Sequence, residues 1–305
     1  MKRQILALVA AGAVLFAACG DDSTESSDTA AAETTAAAAD TTAPASGGDA
    51  KACAEGKTLE AGSLTIATGD PAFPPYVLDD KPESGQGFEA ALALAVAKEL
   101  GFEGDTVKWV RTSFDTAVAG TDNTFDFNLQ QFTINDERKQ VVSFSAPYYT
   151  ANQALLGAVD GPAAAVKSMA DLKALKLGAA AGTTSLQYIT EVIQPDQEPF
   201  AFNSNADAAT ALDNGQIDAI ISDVPTAIFW ALGSEVGGID NTKVFGQFPL
   251  GDQGGDEWGL LFAKDNPLVE CADIALANLT ASGELEQITT EWMSNYTEAP
   301  ALPES

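Results

Sequence analysis

From Leu64 onward, short apolar runs that end in Gly or Asp alternate with segments of helical period, and this restricts the chain to an α/β fold. Leu64–Thr68 is an apolar run closed by Gly69 and Asp70, and the loop PAFPPY (Pro71–Tyr76) that follows excludes regular structure. Phe88–Leu100 places Phe88, Leu92, Val96 and Leu100 four apart on one face and stops at Gly101, which predicts an amphipathic helix. Val107–Val110 reads as a strand, Asp115–Ala119 as a helix and Phe125–Phe132 as another strand. NDERKQ (Asn135–Gln140) is polar and helix-compatible, and VVSFSAPYY (Val141–Tyr149) is extended with an interruption at Pro147.

A second set begins after Gly161-Pro162. Met169–Leu175 predicts a short helix, Lys176–Ala180 a strand, and GTTS (Gly182–Ser185) a loop that opens a helix. Residues 201–232 then read as strand edge, helix, buried strand and helix. Past the Gly-rich passage Gly251–Gly259 come a strand at Leu260–Ala263 and helices at Pro267–Asn278 and Gly283–Met293, the last with Leu285, Ile288 and Trp292 on one side. The expected architecture is two lobes joined by two crossings, near residues 148–152 and 250–256. Lobe 1 is residues 53–150 plus 256–305, and lobe 2 is residues 151–255 with the hinge.

The N-terminus is built differently. Lys2 and Arg3 precede an apolar run, Ile5–Phe16, that is too short to span a bilayer as a mature helix, and Ala17 and Ala18 lead into Cys19. Residues 1–18 read as an export signal. Leu15-Phe16-Ala17-Ala18-Cys19 resembles a bacterial lipobox, with Phe16 where Leu is usual, which implies that Cys19 becomes the lipidated N-terminus. The alternative is an ordinary secretory signal. Residues 20–50 contain no Leu, Ile, Val, Met or aromatic residue and cannot form a core, so residues 19–52 read as a disordered Ala/Thr/Ser/Asp tether with a reach of roughly 30 Å. With Cys19 assigned to lipid, Cys53 and Cys271 remain, and in an exported chain they predict one disulfide.

Charge excludes several activities. The 305 residues include 15 Lys and Arg, 44 Asp and Glu and no His, a formal net charge of −29. So few cations cannot supply the basic face that nucleic acid requires. Without His the chain lacks the usual neutral-pH base, the commonest metal ligand and every Ser-His or Cys-His nucleophile pair, so neither a catalytic residue nor a metal site is expected. The acidity belongs to the folded part, because residues 53–305 hold 12 Lys and Arg against 37 Asp and Glu. It suits solubility in high salt or attraction of cationic solutes.

Five strings occur in the order found in the extracellular solute-binding proteins of family 3, the amino-acid receptors of ATP-driven importers. They are GDPAFPPY, GFEAALALAVAKELGF, DFNLQQFTINDERKQVVSFSAPYY, GTTS, and GQIDAIISD ahead of the terminal helix pair with Trp292. From about Leu59 to Tyr296 the chain resembles this family. The resemblance implies a two-lobed periplasmic-binding-protein-like fold of type II, with a hinge of two crossings and a ligand cleft between the lobes.

An amino acid needs a cation or N–H cluster for its carboxylate, an anion for its ammonium and an apolar clamp. By the resemblance, Arg138 forks onto the ligand carboxylate, Thr184 reaches the same group from the second lobe, and Asp223 binds the ammonium. Each has an ordinary alternative: a solvated surface arginine, an N-cap by Thr183 or Thr184, and an Asp that caps the next helix. Phe73 and Phe114 match the aromatic clamp, although Phe114 also fits a core position. Asp70 matches a position that touches cationic ligand side chains, or is a turn Asp. Gln130, Gln131 and Thr133 occupy the segment that donates backbone and hydroxyl groups. The family usually carries small residues where Gln130 and Gln131 stand, an acid at Ala91 and Thr at Asn135, so ligand identity does not transfer. A single matched Arg argues against dicarboxylic ligands, unless Lys81 or Arg111 supplies a second cation.

The expected function is that of a monomeric lipoprotein, exported and anchored to the outer face of the cell membrane. It would capture a polar or basic amino acid without a cofactor and deliver it to an ABC permease and its ATPase. Two alternatives remain: a dehydratase of prephenate-like or arogenate-like substrates on the same scaffold, and a ligand-sensing surface lipoprotein without transport.

Overall fold

The computed structural model describes residues 48–249 and 255–304. The expected signal, Cys19 and most of the tether lie outside the described residues, as do residues 250–254 of the second crossing.

The folded part starts before residue 53. Asp49 accepts a hydrogen bond from Ala52 N and caps helix α1 (Ala50–Ala54), so the expected tether boundary moves back to residue 49. Small residues make this possible, because Ala50 and Ala54 are buried against the first core. Cys53, on the same helix, is disulfide-bonded to Cys271.

Two five-stranded sheets follow. The first contains β1 (Leu64–Gly69), β2 (Val107–Thr112), β3 (Phe127–Asn128), β4 (Val142–Ala151) and β10 (Asp256–Ala263), in the order β2-β1-β3-β10-β4. The second contains β5 (Gln153–Ala158), β6 (Leu177–Ala180), β7 (Phe200–Phe202), β8 (Ala219–Asp223) and β9 (Thr242–Phe248), in the order β7-β6-β8-β5-β9. In each sheet three parallel strands come from one stretch of chain. The strand that leaves each lobe lies at the sheet edge, and the strand that arrives pairs beside it antiparallel. The crossings are therefore neighbours: Ala151 pairs with Asp256 on one side, and Gln153 with Phe248 on the other.

β1 is buried along its whole length, as an apolar run inside a parallel sheet should be. β4 continues through Pro147, where an interruption was expected. It is an edge strand with register shifts around Gly259, and there a residue without an N–H is tolerated. The strand expected over Phe125–Phe132 shortens to Phe127–Asn128 because Gln131 takes a positive φ of 53° and turns the chain into the cleft.

Helix α2 (Phe88–Glu99) buries Phe88, Leu92 and Val96 as its period predicts. Gly87 precedes it at φ 107°, where a Cβ would lie 2.5 Å from the Tyr76 carbonyl oxygen, so only glycine fits. α2 packs with α7 (Leu268–Ser282) and α8 (Glu284–Met293) on the first sheet, with Leu285, Ile288 and Trp292 against the core. The remaining α-helices among the described residues are α3 (Phe114–Val118) in the first lobe, and α4 (Thr184–Tyr188), α5 (Asn205–Asp213) and α6 (Val224–Trp230) in the second. After α8 the chain crosses once more to the second lobe. Tyr296 and Ala299 pack on one core there and Leu302 is buried in another, while Gln247 N donates to Pro300 O and Leu302 N donates to Gln247 O.

Candidate functional site

The carboxyl ends of β1, β2, β6 and β8 point at one cavity between the sheets, the usual place for a ligand in open α/β sheets. Its volume is about 100 Å³, and all nine candidate residues line it. Asp70 and Phe73 come from the loop after β1, and Phe114 from the start of α3. Gln130, Gln131, Thr133 and Arg138 come from the segment between β3 and β4. Thr184 opens α4, and Asp223 ends β8.

Arg138 is 7% exposed. Its Nη1 donates to Thr133 O at 2.8 Å and its Nη2 to Gly182 O at 2.9 Å, the second bond crossing between the lobes. Its guanidinium lies 5.4 Å from the Phe114 ring centroid, and Phe114 is stacked on Phe132. Burial lowers its pKa to about 10 against the opposing pull of Asp256, Asp223 and Glu137, which leaves it charged at neutral pH. Among the described residues two of its five N–H donors are occupied, and the rest remain for an anion.

The alternatives left open for the two threonines separate cleanly. Thr183 is the N-cap of α4, accepting from Leu186 N at 3.2 Å. Thr184 turns inward, its Oγ1 3.4 Å from Thr133 Oγ1 of the other lobe. Asp223 precedes α6 but makes no capping bond. It accepts instead from Gln153 Nε2 at 2.7 Å, and burial, then the proximity of Asp256, push its pKa well up.

Gln130 Nε2 donates to Thr112 Oγ1 and Asn128 Oδ1, and Gln131 is bound to the buried Glu89 through both its N and its Nε2. Both side chains are thus partly engaged by the first lobe. Phe73 is more than a loop aromatic, because it stacks on Phe229 at 5.9 Å, lies 5.7 Å from Trp230 and packs against cores of both lobes. Asp70 is exposed at the rim. Arg111 does not supply a second cation. Its Nη1 is held by Asp80 Oδ1 at 2.5 Å and by Gly69 O, and neither Arg111 nor Lys81 lines the cavity.

Three residues that sequence reasoning missed support these. Glu89, on α2, accepts from Tyr148 Oη, Gln131 N and Gln131 Nε2. Gln153 and Asp256, the first residues of β5 and β10, meet at 2.6 Å beneath the cavity.

A family model for bacterial extracellular solute-binding proteins, family 3, matches residues 64–295. The chain belongs to that family. Among the relatives of this family-3 protein is ABC transporter arginine-binding protein 1 of Escherichia coli (strain K12), 27% identical over 222 residues, 72% of this chain and 86% of that protein. An ancestral arginine-binding protein bound to arginine has a similar structure, with a TM-score of 0.64 and 29% identity over 76% of this chain and 98% of that one. So does an ancestral amino acid-binding protein that is a precursor of cyclohexadienyl dehydratase, with a TM-score of 0.62 and 30% identity over 76% and 95% of the two chains. Solved relatives thus share the two-lobed fold. Among the described residues of this family-3 protein, no helix is long and apolar enough to cross a membrane.

Proposed function

We propose that this family-3 protein is the substrate-binding component of an ABC importer for an amino acid. The ligand carboxylate forks onto the free donors of Arg138 and reaches Thr184 at the start of α4. Its ammonium rests on Asp223, and its side chain lies by Phe73 and Phe114, with Gln130, Gln131 and Thr133 completing the polar wall. The observation that carries this reading is that Arg138 of one lobe and Asp223 of the other line a single cavity. A ligand that bridges them makes contacts only the closed state offers, so binding shifts the lobes toward closure. The arginine bound by relatives supports an amino acid, and Asp70 at the rim favours a polar or basic side chain. Lipidation at Cys19 would hold a monomer beside its permease and ATPase.

Arg138→Ala and Asp223→Ala are expected each to abolish amino-acid binding in calorimetry while the protein stays folded. Unchanged affinity in either variant would remove that residue from the site. A thermal-shift screen over the amino acids identifies the ligand, since one bound only by the native state raises Tm.

A dehydratase on the same scaffold is the second reading, favoured by the likeness to a dehydratase precursor. It requires a proton donor and a cation for a second carboxylate, and among the described residues the cavity wall presents one Arg and no Lys. Turnover of prephenate or arogenate by the purified protein would establish it.

A further inference from the structure

Beneath the cavity two carboxylates share one amide. Gln153 opens β5 directly after the first crossing, Asp256 opens β10 directly after the second, and Asp223 ends β8. The Gln153 Nε2 donates one hydrogen to Asp223 Oδ1 at 2.7 Å and the other to Asp256 Oδ2 at 2.6 Å, while its own Oε1 accepts from Ser185 Oγ at 2.6 Å. Thr184 Oγ1, on the cavity wall, lies 3.4 Å from the same Asp256 Oδ2. The other oxygen, Asp256 Oδ1, has no hydrogen-bond partner among the described residues, in a residue only 1% exposed. Buried carboxylate oxygens are seldom left in that condition.

The charges facing this pair can be named. Arg138 is the cation, and Asp223 and Asp256 are two acids against it. Glu89 is felt by Asp223 from behind Gln131, where burial raises its pKa to about 7 and three donors of its own hold it apart from the pair, and Tyr76 and Tyr149 are neutral with pKa values pushed up by burial. Asp70 is at the rim in contact with water and stays outside the buried count. Gln153 links the two acids without neutralising either, so with both ionised the enclosed site carries one negative charge more than Arg138 offsets, and burial favours holding a compensating proton on the pair. A net buried charge is costly unless it is matched.

We propose that Asp256 sets the charge of the ligand: with both acids ionised, Asp256 and Asp223 leave the closed cleft one negative charge in excess, so a ligand of net charge +1 is enclosed with the pair ionised, whereas a neutral zwitterion is enclosed only with one proton more on the pair. This rests on the reading above, that the cleft binds an amino acid through Arg138 and Asp223. It adds a residue, Asp256, that decides between ligands of equal size and different charge.

Calorimetry tests it with L-arginine and its neutral isostere L-citrulline. Each is titrated at one pH in two buffers of different ionisation enthalpy, which yields both affinity and proton uptake. The wild-type protein is expected to take up about one proton more with citrulline than with arginine, and to bind arginine tenfold or more tightly, about one pKa unit's worth of preference. In Asp256→Asn, nearly isosteric, the proton difference disappears and the preference falls about tenfold. If citrulline is refused by the wild type, Asp256→Asn admits it.

Equal proton counts for the two ligands in the wild type overturn the inference, and that measurement needs no variant. So does a difference of one proton that persists in Asp256→Asn, or a folded variant that still refuses citrulline. Binding of L-citrulline or L-glutamine more tightly than L-arginine without proton uptake overturns the role of Asp256 and leaves the amino-acid reading standing. No binding of any amino acid, by calorimetry or thermal shift, removes both.

Discussion

At Glu89 two preferences oppose each other. Three donors converge on the carboxylate, from Tyr148 and from the backbone and side chain of Gln131, and they suit the ionised form. Burial opposes ionisation and wins, raising the pKa from 4.5 to about 7. The folded state therefore binds this proton more tightly than the unfolded chain. The resulting stabilisation is complete below about pH 4.5 and is lost as pH rises through about 7. Urea unfolding at pH 5 and pH 8 should show stability falling with pH, with up to about 3 kcal/mol of the change from this group. Glu89→Gln should flatten that part of the slope, and an unchanged slope would show that Glu89 does not carry it. Nothing in the local sequence marks this residue, since an acid in the first turn of a helix is ordinary wherever that turn lies. Gln153 and Asp256 were hidden for a related reason: each is the first residue of a strand, and only the pairing of the crossings brings them together. Arg138, Thr184 and Asp223 were named through the family resemblance, since each position alone also fits an ordinary surface or capping residue, and the structure brings the three to one cavity.

Among the elements, α4 separates two jobs between adjacent threonines. Thr183 caps the helix and Thr184 faces Thr133 across the cleft. Thr183→Ala should cost about 1 kcal/mol of stability in chemical unfolding, the usual value of an N-cap. Thr184→Ala should leave stability nearly unchanged and weaken ligand binding in calorimetry. The reverse pattern would exchange their roles. Hydrophobic period located α2 well, because its apolar face is continuous. It overextended β3, because the apolar residues of Phe125–Phe132 serve two cores, Phe127 and Leu129 in one and Phe125 and Phe132 in another, and the positive φ at Gln131 breaks the run.

Over the whole molecule, repeated βα patterning made two lobes readable. The pairing of β4 with β10 and of β5 with β9 was not, because those partners are distant in the chain and antiparallel pairing leaves no local mark. The final residues were equally silent, with one buried leucine, Leu302, in a polar and proline-containing segment. Removing residues 299–304 should lower Tm and, in small-angle scattering, enlarge the ligand-free protein more than the ligand-bound one, since the segment joins the second lobe to a helix of the first. Equal enlargement of both would assign the tail to local packing alone. The Cys53–Cys271 bridge spans 218 residues, and in the chain-entropy account its loss should cost about 5 kcal/mol in unfolding experiments on Cys53→Ala/Cys271→Ala.

That bridge and that tail have a practical consequence. α1 is held to the first lobe and Leu302 to the second, so the two ends of the described chain ride on different bodies. A fluorophore pair at Lys51 and Glu304 would therefore read the opening of the cleft as a distance, from positions outside the cavity wall. The chain carries its own ruler for the motion that binding is expected to drive.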